Sequence, residues 1–194
     1  MNDVSGRQKP KLSQINVYTD GSKTSQGTGA GFVELKGKNI LIHTASINLD
    51  KTATIFQVKA AAIQKAAEYL TQNPRPSQKY IKIFSDSQAV RKALEKNDLY
   101  SHTILNVRHT LNTLRENTIA LSLIWIKAHH GFEGNEVTDE YAKKATIDTT
   151  NYMITQTTKQ EIRNIIETKS NEYCCRKWER YKYNNGICPL FSTQ

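Results

Sequence analysis

Residues 119–146, "IALSLIWIKAHHGFEGNEVTDEYAKKAT", decide the fold. The first eight residues are almost continuously apolar, as in a strand covered on both faces. They fall far short of the roughly 20 residues needed to cross a bilayer. A loop rich in histidine and glycine, "AHHGFEGN", follows, and then a helical pattern, "EVTDEYAKKAT", that carries Asp139. A strand that runs through a polar loop into a helix is one unit of a helix-covered sheet. Its loop lies at the strand end where such sheets gather ligands.

Working outward, "KYIKIFSDS" alternates apolar and polar residues and leads into the helical "QAVRKALEKN", with Asp86 at the junction. Between the two units, "SHTILNVRHTLNTLREN" reads as a helix with Ser101 as its cap. At the other end "INVYTDGS", "GTGAGFVEL" and "NILIHTASI" form three strands in an antiparallel meander, the last two joined at "KGKN". A helix over "TATIFQVKAAAIQKAAEYL" comes next and stops near "NPRP", because proline cannot continue it. The order βββαβααβα predicts an α/β fold with a five-stranded mixed sheet flanked by helices.

The chain of 194 residues suits one domain with a tail. We expect a flexible leader over 1–13, the domain over 14–147, a Thr- and Asn-rich linker over 148–158, and a basic helical tail over 159–194 with Ile162, Ile165, Ile166, Tyr173 and Trp178 as apolar anchors. The formal net charge of +9 favours a polyanionic partner such as nucleic acid. The three cysteines form no even disulfide framework and match no zinc spacing, so reduced thiols are expected. The polar start lacks a secretory h-region and "GRQKPK" is too sparse for an import signal, which leaves a soluble intracellular protein, cytoplasmic or nuclear, with no membrane partner.

One residue breaks the pattern. At about 100° per residue, Ile55, Ala62, Ile63, Ala66 and Leu70 share one helix face, and Lys59 projects into the middle of it. Either the side chain snorkels past the helix start or the fold supplies carboxylates for it to meet. Candidates exist, since Asp20 ends the first strand and Asp86 the fourth. Asp86 could equally serve as a helix cap or turn former.

Taken together, "YTDGS", "FSDSQ" and "AHHGFEGNEVTDEYAKK" resemble ribonuclease H of type 1 over about Ile15 to Ala145. The flavour is that of the domains in non-LTR retrotransposon polyproteins, whose helix usually begins "FQAE" where this chain has "FQVK". The resemblance implies a ribonuclease H-like fold and a metal-dependent endonuclease acting on the RNA strand of RNA–DNA hybrids. Two Mg²⁺ (or Mn²⁺) ions about 4 Å apart would be held by four carboxylates. Asp20, Asp86 and Asp139 match three of them, and His129 matches a residue assisting proton transfer or product release. Gly21, Ser22, Ser87, Gln88 and Asn135 match nucleic-acid contacts, with a turn role as the alternative, and a reverse transcriptase in the same polyprotein is an implied partner.

The family's glutamate falls on position 59, where this chain has lysine. Exchanging −1 for +1 opposes cation binding, so the expectation is a pseudoenzyme or a weakened enzyme. The alternative is a catalytically inactive module, derived from a retroelement, that binds nucleic acid or protein. Glu68 lies about 13 Å farther along the helix and offers no rescue; Glu34 sits on the second strand with its direction open. A transposase or integrase relative is disfavoured by "HHGFEGNEVTD".

Overall fold

The computed structural model describes residues 14–36, 39–74, 80–96, 101–128, 130–148, 150–155 and 159–184. The elements in chain order are β1 (Gln14–Lys23), β2 (Thr28–Lys36), β3 (Ile40–Leu49), α1 (Ile55–Gln72), β4 (Tyr80–Ser85), α2 (Gln88–Glu95), α3 (His102–Glu116), β5 (Ala120–Trp125), α4 (Glu133–Ala145), β6 (Tyr152–Met153) and α5 (Lys159–Asn184). The chain divides into two compact units, Met1–Gln156 and Thr157–Gln194.

The first unit is an α/β fold built on one mixed sheet of order β5-β4-β1-β2-β3-β6. β1 pairs antiparallel with β2 and parallel with β4, and β2 pairs antiparallel with β3. Alternate residues of a strand face opposite sides, and the glycines show what covers each side. A Cβ on Gly21 would come within 2.8 Å of Val58 Cγ1 in α1, whereas one on Gly29 would lie 2.4 Å from the Ala142 carbonyl of α4. Ala30 is the register partner of Gly21, so Gly29 and Gly31 point to the other face. Hence α1 and α4 lie on opposite faces, each seated directly on backbone.

The core follows from that seating. Val17, Ile81, Ile83 and Leu49 of the sheet meet Val58, Ala62, Ala66 and Leu70 of α1. A second cluster joins Ala60 and Ile63 of α1 to Val90 of α2 and Ile104 and Val107 of α3. Alanine on both sides of α1 lets it approach the sheet and α3 at once. Each fully buried valine, leucine or isoleucine contributes about 1.5–3 kcal/mol. The start of α1 is fixed by a capping box: Thr54 Oγ1 accepts from Gln57 N–H at 3.3 Å while Gln57 Oε1 accepts from Thr54 N–H at 2.8 Å.

Several expectations change. The sheet has a sixth strand, β6, inside the stretch expected to be linker, pairing parallel with β3 at Asn48 and Leu49. Asp50 holds it there, accepting from Tyr152 Oη, from Thr155 N–H at 2.6 Å and from Thr155 Oγ1 at 3.1 Å. β5 is an edge strand of half-buried and exposed residues rather than a strand covered on both faces. Its apolar run reflects one inner face plus an open rim at which Ile119 and Trp125 are exposed. α4 begins at Glu133, three residues earlier than its apolar periodicity suggests, and Ser101 precedes α3 without a side-chain cap bond. Ile55, placed on the inner arc of α1, is exposed in its first turn.

The described residues of the second unit form α5, of 26 residues, with Ile162, Ile166, Tyr173 and Trp178 exposed; the Ile165 side chain lies outside the described residues. Cys174 and Cys175 are exposed free thiols. No helix among the described residues is long and apolar enough to cross a membrane.

Candidate active site

Strand register brings Asp20 and Asp86 together, although Asp20, expected at the end of the first strand, lies within β1, whose pairing with β2 runs on to Lys23. The parallel pairing of β1 with β4 ends at Thr19 and Ser85, so Asp20 and Asp86 are the next residue on each chain. Trp125 is in register with Ser85 from the other side, and its indole N–H donates to the Asp86 carbonyl at 3.0 Å. That bond fixes the turn in which Asp86 sits. Ser87 caps α2, its hydroxyl accepting from Val90 N–H at 3.3 Å.

Lys59 arrives from the first turns of α1. The missing side chain at Gly21 allows this, since a Cβ there would stand 3.0 Å from the Lys59 backbone nitrogen. Lys59 Nζ lies 2.6 Å from both carboxylate oxygens of Asp86 and 2.9 Å from Asp20 Oδ1. Asp20 Oδ1 also accepts from Gly21 N–H at 2.7 Å. Side-chain exposure is 18 % for Lys59, 7 % for Asp20 and 8 % for Asp86, so this is a largely desolvated triad of two carboxylates and one ammonium.

Burial, the strongest influence on Asp20, pushes its carboxyl above the ordinary range; Asp86 adds to the rise, and Lys59 and the Gly21 N–H offset it in part. For Lys59 burial is again the largest single influence and disfavours the charge. The two carboxylates together overcome it and hold the ammonium above the ordinary lysine range. The cation is therefore fixed, and the excess negative charge is lodged on the acids.

Asp139 is paired with a different lysine. It is half-buried on α4, and Lys143 Nζ, one turn on, bonds it at 2.6 Å. This ion pair was missed, although the Asp-x-x-x-Lys spacing on a helix signals it. The same helix turn reaches toward Asp20: a Cβ on Gly31, the register partner of Asp20, would lie 3.1 Å from the Thr138 carbonyl. Asp20 also contributes to the raised pKa of Lys143, whose first cause is the Asp139 bond.

Among the remaining expected residues, Gly21 is buried against α1, Ser22 is half-buried on β1 and Gln88 is exposed on the first turn of α2. Asn135 is only 3 % exposed, and its Oδ1 meets no hydrogen-bond donor. His129 lies outside the described residues, and His130 beside it is exposed. Glu34 is fully buried three residues along β2 from Gly31, roughly 10 Å by strand rise, and Glu68 is bonded to Lys65 and Gln64. Neither supplies a carboxylate to the triad.

Two aspartates just past the end of the parallel β1–β4 pairing, with a third on α4, are the acidic residues of this α/β candidate site. The RNase H family model matches residues 12–147, and the chain belongs to that family. Solved structures share the fold. RNase H1 of the halophilic archaeon Halobacterium salinarum is 21% identical, with a TM-score of 0.56, over 68% of this chain and 96% of its own. LC11-RNase H1, isolated from compost by a metagenomic approach and solved in complex with an RNA/DNA hybrid, is 19% identical over 68% of this chain and 98% of its own, with a TM-score of 0.53. A foamy viral protease-reverse transcriptase in complex with dsDNA is 15% identical over 70% and 94%, with a TM-score of 0.52. No curated protein matches the chain.

The family's divalent ions do not fit these side chains as they stand. Every oxygen of Asp86 and one of Asp20 is engaged by a protonated amine, which cannot itself ligate a metal. A cation would have to expel Lys59 from between its partners. Among the described residues no group of three or more His, Cys, Asp or Glu side chains is disposed to hold a metal ion.

Proposed function

We propose that this chain is a ribonuclease H domain that holds RNA–DNA hybrids while cutting them poorly or not at all. The observation that carries the reading is the position of Lys59 Nζ, bonded to both Asp20 and Asp86. In this reading Lys59 stands in for the family's fourth carboxylate, and its fixed charge takes the place of a Mg²⁺ or Mn²⁺ ion. Each unit of charge at about 4 Å is worth roughly 4 kcal/mol at an effective dielectric near 20, before solvent discounts it. Asp20, Asp86 and Asp139, with His129, are then remnants of a hydrolytic centre.

Duplex recognition needs no metal, because a hybrid is distinguished by its shape and its 2′-hydroxyls. The net charge of +9 attracts phosphates. Gly21, Ser22, Ser87, Gln88 and Asn135 are the contacts in this reading. An origin in a retroelement, with a reverse transcriptase in the same polyprotein, belongs to the same reading; the foamy viral likeness supports it.

The test is a labelled RNA–DNA hybrid incubated with the parent and with Lys59→Glu, in Mg²⁺ and in Mn²⁺, with binding measured in EDTA. The parent should bind in EDTA without cutting, and the variant should cut. Parent cleavage that disappears in Asp20→Asn would restore the enzyme and overturn the reading, as would a parent that fails to bind the hybrid.

A further inference from the structure

The C-terminal half of α5 carries an exposed aromatic face that the hybrid-binding reading does not use. Tyr173, Lys177, Trp178 and Tyr181 follow one another at helical spacings, and with Cys174 they line a shallow hollow of about 450 Å³. The Trp178 and Tyr181 rings are stacked, 5.7 Å apart and 13° from parallel. Lys177 Nζ lies 5.2 Å from the Tyr173 ring centre and Lys182 Nζ lies 5.6 Å from that of Trp178. All three rings are more than half exposed, which is unusual for side chains of this size.

Net positive charge is confined to the same half. Residues Lys159–Glu172 hold three basic and three acidic side chains, whereas Tyr173–Asn184 holds four basic ones (Arg176, Lys177, Arg180, Lys182) against Glu179 alone. A second copy of the helix packed face to face would bring like charges together. A membrane anchor would need an apolar stripe, but Arg176 and Arg180 interrupt the helical continuation of Tyr173. Flat aromatic surface with cations set around it matches an unstacked polyanionic strand, whose bases stack on the rings while its phosphates meet the ammonium and guanidinium groups. We infer that the Tyr173–Trp178–Tyr181 face of α5 binds single-stranded nucleic acid by base stacking, as a site separate from the duplex-binding surface of the first unit.

The experiment uses the full chain and a labelled oligothymidylate. Trp178→Ala combined with Tyr181→Ala should weaken single-strand binding by roughly 100-fold, about tenfold for each lost ring. Hybrid binding should be unchanged, which separates failure here from failure of the duplex reading. Lys177→Ala with Lys182→Ala should reduce the salt dependence of single-strand binding. In a Trp125→Phe background Trp178 is the sole tryptophan, and its emission should be quenched by the oligonucleotide. Unaltered affinity in the aromatic double variant overturns the inference. So does self-association of the parent that is lost in that variant, because the face would then belong to a contact between copies.

Discussion

Two lysine–aspartate pairs in the first unit share an N–O separation of 2.6 Å and differ in almost everything else. Lys59 spans between strands and helix to a carboxylate 8 % exposed, with a second carboxylate 2.9 Å away. Lys143 reaches one helical turn back to Asp139 with its own side chain 61 % exposed. Distance is thus a poor guide to what an ion pair does. Desolvation decides, because burial raises the cost of leaving either partner alone, while water makes the exposed pair nearly dispensable.

The largest effect should come from reversing the buried cation: Lys59→Glu is expected to turn a binding domain into a hybrid-cutting one, as set out above. Removing that cation without replacing it should come next. Lys59→Met leaves two carboxylates facing each other out of water, and breaking a buried pair in this way costs about 3–5 kcal/mol. With Lys59 nearly one-fifth exposed we expect the lower end, about 3 kcal/mol. That corresponds to a Tm lowered by roughly 6–12 °C for a domain of this size. The loss should shrink as pH falls, since one carboxyl can then take up the missing proton. Urea unfolding at neutral and acidic pH reads both. A variant as stable as the parent at neutral pH would mean that solvent already screens the triad.

A smaller, signed effect belongs to Asp20. Its folded pKa lies above the ordinary 3.8, chiefly through burial. In the window that opens upward from 3.8, the folded state holds a proton the unfolded chain has released, so stability falls as pH rises through it. Lys59 acts at the opposite end of the scale. Its contribution is complete below the ordinary 10.5 and is lost as pH rises through the higher folded value. Asp20→Asn should remove this acid-side slope. Identical profiles for parent and variant across that window would refute a raised Asp20.

The same contrast explains what could be read from the chain. Lys59 was legible because an ammonium in the middle of an apolar arc needs carboxylate partners, and two aspartates lie at expected strand ends. Their meeting depended on register, which alternation alone does not fix, and on Gly21 admitting α1 to backbone contact. β6 was hidden because two residues carry no periodicity; its place is set by Asp50, more than 100 residues away. β5 misled because a continuous apolar run looks alike in a central strand and at an edge. The Trp125 bond to the Asp86 carbonyl had no local signal at all. Lys143 did have one, yet its spacing marks a helix-surface pair and says nothing of what else Asp139 faces.

The smallest effect therefore sharpens the comparison most. Lys143→Ala removes an i,i+4 pair of the kind worth about 0.3–0.5 kcal/mol, and the exposure of Lys143 places it at or below that range. Alanine's higher helix propensity offsets part of the loss. Lysine near the end of α4 also favours the helix dipole, a contribution that salt screens. The electrostatic loss should therefore fade near 1 M salt, where the Debye length is about 3 Å, whereas the Lys59→Met loss should persist because its largely buried partners are screened much less. Chemical denaturation of both variants in low and high salt, with urea so that ionic strength stays controlled, separates the two. A Lys143→Ala loss of about 2 kcal/mol or more that survives salt would join Asp139 to the buried network. The two pairs would then have to be treated as one four-membered cluster, with Lys143 a second internal cation opposing metal at the same carboxylates.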